Sequence, residues 1–259
     1  MIDSHAFSPS ATRRILLLGG TSEASAMARA LAEEGMEAVF SYAGRTASPI
    51  TQPLPMRVGG FGGIEGLAQY IREQGITHVV DATHPFAAQM SAHAVAACSQ
   101  ANVALAALER QPWAPQTGDD WRIVPDLAAA VQALAGEPAC VFLAIGRQNL
   151  GLFAGQKHHY LLRLVDPAPQ PLANATVVVD RGPFTVGGDL ALLRRHAITH
   201  IVAKNAGGSG ASAKLEAARL LGLPVILIDR PFIPDRLVFS EVDQVMRWLH
   251  AGSSAERGV

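Results

Sequence analysis

The chain has 259 residues, 49% of them hydrophobic, and its 21 Lys and Arg against 22 Asp and Glu leave a formal charge of −1. That is material for one large α/β domain or two compact ones, and it carries no general electrostatic footprint for nucleic acid while leaving room for a local basic pocket. Only two cysteines are present, Cys98 and Cys140, which excludes a disulfide framework or a cysteine metal site as an organising feature; both read as small core residues.

Residues 1–12 hold no apolar segment of the kind a signal peptide needs and are expected to be disordered. No apolar run approaches the ~18–20 residues of a spanning helix, so the expectation is a soluble, cytoplasmic protein away from membranes. From residue 13 the pattern alternates. Ile15–Leu18 is a short apolar strand ending in Gly19-Gly20. Thr21-Ser22-Glu23 supplies a cap and a first-turn acid, and Ala24, Met27, Ala28 and Leu31 recur at helical spacing before Gly35. Strand Ala38–Ser41, a helix near 64–74, strand Thr77–Val80, a helix near 86–99 and strand Val103–Leu108 follow. Such βα units with near-continuous apolar strands predict a mainly parallel sheet flanked by helices. A Pro/Gly/Asp-rich stretch around 112–120 reads as a linker, beyond which the pattern resumes: strand Val141–Ile145, helix Leu190–His196, strand Ile201–Ala203, helix Ala211–Leu221 and strand Val225–Ile228. The expected domains are 13–112 and 113–248, with a polar tail over 249–259.

The two halves resemble each other. Ile76-Thr77-His78-Val79-Val80 recurs as Ile198-Thr199-His200-Ile201-Val202, 122 positions on, and Glu109-Arg110-Gln111-Pro112 is echoed by Asp229-Arg230-Pro231. Any two βαβ units share some likeness, but the near-constant offset favours two similarly wound, Rossmann-like domains with a ligand cleft between them.

The residues able to carry chemistry cluster at strand ends. Gly19, Gly20, Thr21, Ser22 and Glu23 form a degenerate version of the dinucleotide turn, with Thr21 where a second glycine is usual; the same residues also suit a plain turn and cap. The next strand ends Ser41-Tyr42-Ala43-Gly44-Arg45 with no acid for a ribose 2′-hydroxyl. Ser41 and Arg45 instead suit a 2′-phosphate, which favours NADPH over NADH. Asp81, Thr83, His84 and Pro85 follow the third strand, where His84 could hand over a proton and where Asp81 or Thr83 could simply cap the next helix. In the second half Arg147, Arg181, Lys204, Asn205, Gly207, Gly208 and Lys214 make a candidate anion-binding wall, and no Walker A lysine closes the glycine loop.

Four segments carry a resemblance: ILLLGGTSEA (15–24), DATHPFAAQM (81–90), RGPFTVGGDL (181–190) and NAGGSGASAKLEAA (205–218). Together they resemble the precorrin-6A reductase family of cobalamin biosynthesis, over about 13–248. Ala24 stands where that family's turn often has glycine or alanine, and Ala206 where serine is expected. The resemblance implies two Rossmann-like domains and NADPH as cofactor. It further implies reduction of one double bond of a tetrapyrrole ring, in metal-free or cobalt form, with no metal or flavin on the protein. A macrocycle carrying acetate and propionate carboxylates matches a locally basic cleft on a neutral protein. The residues themselves leave open a reductase of another small substrate, or a dinucleotide-sensing protein with no hydride acceptor.

Overall fold

The structure is a computed structural model and describes residues 13–44, 50–167 and 172–251. In chain order the first elements are β1 (Arg14–Leu18), α1 (Ser22–Glu33), β2 (Glu37–Tyr42), β3 (Met56–Val58), α2 (Gly63–Glu73), β4 (His78–Asp81), α3 (Ala88–Ala101) and β5 (Ala104–Leu108). Then come β6 (Trp121–Val124), α4 (Leu127–Ala133), β7 (Cys140–Ala144), a 3₁₀ segment Arg147–Phe153, β8 (His159–Leu164) and β9 (Ala175–Val179). The chain continues through α5 (Val186–Arg195), β10 (His200–Lys204), α6 (Ala213–Leu221), β11 (Val225–Ile228), β12 (Leu237–Phe239) and α7 (Val242–Ala251).

These elements form two sheets of six strands, β3-β2-β1-β4-β5-β12 and β9-β8-β7-β10-β11-β6, and every neighbouring pair in both is parallel. In each, five strands follow the doubly wound order 3-2-1-4-5 of dinucleotide-binding folds. The sixth place is filled unexpectedly. In the first sheet it is taken by β12, after the chain has traversed the whole second sheet; in the second it is taken by β6, the strand that enters directly after β5. Each half therefore receives its sixth strand from the stretch that follows the other half's fifth. The compact units are accordingly residues 1–109 with 233–259, and Arg110–Phe232.

The stretch from Ile233, expected with the second domain, packs with the first unit. Leu237, Val238 and Phe239 pair with Ala106, Ala107 and Leu108, and Val245, Met246 and Leu249 of α7 are buried in one cluster with Met27, Ala28 and Leu31 of α1. Those α1 residues are the helical stripe read from the sequence, and α7 is the surface that dehydrates it.

The internal repeat is realised bond for bond. β4 and β10 occupy the same fourth position. Thr77 N donates to Arg14 O and Thr199 N to Cys140 O, both at 2.8 Å; Thr77 and Thr199 hydroxyls meet Nδ1 of His78 and His200 at 2.9 and 3.0 Å. These histidines are thus strand-start residues, and His78 also packs edge-on against Trp248 at 5.4 Å. Among the described residues no helix is long and apolar enough to cross a membrane.

Candidate active site

In the first unit the strand order reverses between β1 and β4, and open α/β sheets bind ligands outside the carboxyl ends at such a point. The turn leaving β1 is built for close approach. A Cβ on Gly19 would lie 2.1 Å from Phe40 Cζ, and Gly20 holds φ +127° with nothing within 4 Å of its absent Cβ. Glycine is therefore required at the first position by packing and at the second by backbone conformation. Thr21 caps α1: its hydroxyl accepts from Ala24 N at 3.0 Å and donates to Ala82 O at 2.8 Å. One side chain thus joins the helix start to the end of β4. Ser22 donates to the Glu23 carboxylate at 3.1 Å, so the first turn already carries an acid. Thr21→Ala is expected to lower stability by about 1–2 kcal/mol, with Thr21→Ser retaining most of it; denaturant unfolding of the two variants checks this.

Ser41, 4% exposed, lies opposite Leu18, and its carbonyl accepts from Gly19 N at 2.9 Å. Its hydroxyl accepts from Arg57 Nη1 at 2.8 Å. Arg57 sits opposite Ser41 on β3, also donates to the Gly59 and Gly60 carbonyls at 3.0 and 3.1 Å, and stacks 3.8 Å over the Phe61 ring. This cation was missed in the sequence because spacing from the glycines does not find it; only the β2–β3 register does. Arg45 lies outside the described residues.

At the end of β4, Asp81 is 3% exposed. Its Oδ1 accepts from Thr83 N at 3.1 Å and the Thr83 hydroxyl at 2.7 Å; its Oδ2 is buried and meets no donor among the described residues. Neither residue caps α3, whose N-cap is Ala87 without a side-chain bond; the pair closes a local Asx turn instead. Burial, and then the nearby Asp81, push the Cys98 thiol up to about 12, so Cys98 is an inert core residue. His84 Nδ1 accepts from Phe86 N at 3.2 Å. With Nδ1 accepting, Nε2 is the ring nitrogen that carries the proton. Pro85, expected as a substrate contact, is buried.

The second unit repeats this ground plan with different chemistry. After β7, Gly146 at φ +79° leads into the 3₁₀ segment where the first unit has twelve residues of capped helix. Arg147, exposed, opens that segment, and Arg181 pairs with Asp166 at 3.5 Å, both part-exposed. Lys204 ends β10 opposite Ile228.

Asn205, 5% exposed, is a clamp. Its Oδ1 accepts from Trp113 N at 2.8 Å and its Nδ2 donates to Trp113 O at 3.1 Å, so its side chain is fixed on the linker. Gly207 and Gly208, at φ +72° and +71°, have absent Cβ positions 2.1 Å from Gln111 O and 2.5 Å from Arg110 Cδ. The loop's carbonyls are held from one side: Ala206 O by Arg110 at 2.7 Å and Arg230 at 3.2 Å, Gly208 O by Trp113 Nε1 at 2.7 Å. Arg110 and Arg230, the echoed residues of the repeat, thus converge on one carbonyl, a function the sequence comparison did not reveal. Lys214 lies beneath this loop and is only 5% exposed, so the cations of the expected anion-binding wall divide into exposed Arg147 and Arg181, part-exposed Lys204 and buried Lys214.

The chain matches the model of the family described as precorrin-6x reductase CbiJ/CobK over residues 14–250. It is 63% identical to the precorrin-6A reductase of Rhodobacter capsulatus over 249 residues, covering 95% of this chain and 99% of that one. It is 30% identical to the cobalt-precorrin-6A reductase of Priestia megaterium, covering 91% and 97%. A solved structure titled CobK precorrin-6A reductase superposes with a TM-score of 0.89 at 63% identity, covering 92% of this chain and 96% of that one. A family model spanning nearly every described residue, over a fold with the doubly wound order in both halves, settles the assignment: the chain belongs to the precorrin-6x reductase family.

Proposed function

We propose that this protein is an NADPH-dependent reductase of precorrin-6A acting in the cytoplasm, with its first unit holding the dinucleotide and its second unit meeting the carboxylates of the tetrapyrrole. The observation that carries the cofactor half is the contrast between the two equivalent turns. Both turns hold a glycine whose absent Cβ would meet nothing within 4 Å, Gly20 and Gly146, but the first leads into a helix capped by a side chain and the second into an uncapped 3₁₀ segment. Free N–H groups and the positive end of a helix dipole suit a pyrophosphate.

When bound, NADPH would supply a hydride to one double bond of the macrocycle. The residues around it have separate tasks. Gly19, Gly20, Thr21 and Ser22 form the phosphate turn, Glu23 accepts from a ribose hydroxyl, and Asp81 with Thr83 fixes the end of β4 beside them. Ser41 and Arg57 face the 2′-phosphate, with Arg45 on the segment that follows β2. In the second unit Arg147, Arg181 and Lys204 pair with carboxylates, while Gly207 and Gly208 let the loop close against the linker that holds it. The metal-free substrate is favoured by the relatives: those named precorrin-6A reductase run from 63% to 41% identity, whereas those named for the cobalt form run from 30% to 27%.

His84, whose Nδ1 accepts from Phe86 N, orients the turn and donates from Nε2. His84→Ala is expected to lower kcat by no more than about tenfold and to leave the shape of the kcat–pH profile unchanged; disappearance of a limb near neutrality would restore the proton-donor role. The function itself is tested by incubating the protein with precorrin-6A and NADPH deuterated at the nicotinamide C4. Deuterium carried into a dihydro product supports the reading, and recovery of unlabelled, unreduced macrocycle opposes it.

A further inference from the structure

Lys214 stands in the first turn of α6 with its ammonium sealed inside the second unit. Its Nζ donates to Ala211 O and lies 4.9 Å from the Trp113 ring centre. The charged groups facing it come from three directions: Arg163 of β8, Asp189 of α5 and Arg110 of the linker. Asp189, 2% exposed, is already engaged by Arg163 Nη1 at 2.5 Å, and Arg163 is stacked 3.5 Å from the Phe184 ring. The buried carboxylate is therefore held by Arg163, and Lys214 has no salt bridge among the described residues.

Burial foremost, with Arg163 and Arg110 adding repulsion and Asp189 opposing them, pulls the Lys214 ammonium down to about 7. A charge in such a place costs the fold stability, and an apolar side chain of similar length would fill the same space without that cost. The position is expensive for folding and yet is placed under the glycine loop. Trp113, against which the ammonium rests, holds Asn205 and Gly208, so the ammonium grips the loop at Ala211 and through Trp113 together.

We propose that Lys214 is a positioning residue for the macrocycle: its buried ammonium ties the 205–211 loop to Trp113 and lends positive charge from beneath to the carboxylates that settle on that loop. The proposal rests on the tetrapyrrole reading and deepens it. An anion on the loop favours the protonated lysine, so binding and protonation reinforce each other. Raising the pH through neutrality discharges Lys214 and weakens the macrocycle's hold, with no consequence for NADPH on the other unit.

The sign for folding is the opposite. The folded-state value lies below the ordinary 10.5, so the penalty is fully present below about pH 7 and fades as the pH rises toward that of a free lysine. Lys214→Met is therefore expected to raise the melting temperature near neutrality, by a margin that shrinks in alkali. The same variant should raise the macrocycle KM about tenfold and flatten the rise in that KM which the parent shows between about pH 6.5 and about pH 8.5, leaving the NADPH KM unchanged. Lys214→Arg, charged throughout, should keep a low and pH-flat KM. A Lys214→Met protein that melts lower and keeps the parent's KM and its pH dependence would overturn the proposal. Should the variants fail to fold, a macrocycle KM flat with pH in the parent would overturn it as well. An inactive parent would refute the reductase reading instead, and only that.

Discussion

Replacing Arg57 by methionine is expected to raise the KM for NADPH by about tenfold to a hundredfold while changing that for NADH little. The argument is one of geometry and charge. Arg57 is anchored by Ser41 and by the Gly59 and Gly60 carbonyls and is stacked on Phe61, so its fork is already oriented at the end of the second strand, where dinucleotide folds meet the ribose. No acid stands at that strand end to prefer the 2′-hydroxyl. Because Arg57 also braces the β3 turn, NADH serves as the internal control. Equal losses with both cofactors would mean that the residue only holds the turn, and would move the 2′-phosphate contact to Arg45. Initial rates with varied cofactor at saturating macrocycle separate the two.

The largest expected effect on folding is at Gly207. An added methyl would meet Gln111 O at 2.1 Å and Arg230 Nη2 at 2.6 Å, on a residue whose φ is +72°. Backbone cannot yield as a long side chain can, so Gly207→Ala is expected to cost about 2–4 kcal/mol in the second unit. Gly210, with nothing within 4 Å of its absent Cβ, should accept alanine within about 0.5 kcal/mol. Urea unfolding followed by tryptophan fluorescence reports mainly on that unit, since two of the three tryptophans, Trp113 and Trp121, lie in it. Equal stability of the two variants would show that the loop is not clamped on the linker as described.

Much of the fold was legible because it is local. The stripe of Ala24, Met27, Ala28 and Leu31, the Gly19-Gly20 turn and the apolar strands each declare themselves within a dozen residues, and the repeated Ile-Thr-His motif fixed two equivalent strands correctly. The exchange of the sixth strands was not legible. β12 has three residues, with Leu237 and Val238 about half exposed, and nothing in so short a segment says that it pairs with Ala106–Leu108 rather than with a neighbour in sequence. The same limit applies to the site. The turn at Gly19 and Gly20 and the cap at Thr21, which answer to backbone demands, were read where they stand. Arg57 was missed because its relation to Ser41 exists only across two strands. That Asn205 is clamped to Trp113, and that Lys214 and Pro85 are buried, was not legible either, burial being a property of neighbours distant in sequence.

The most direct test of the whole account is the initial rate of NADPH oxidation with metal-free precorrin-6A, set against NADH and against the cobalt form. The account predicts oxidation that depends on the macrocycle, is much slower with NADH, and is faster with the metal-free ring. Tight NADPH binding with no oxidation in the presence of either ring would contradict it, and would leave a dinucleotide-binding protein whose acceptor is something else.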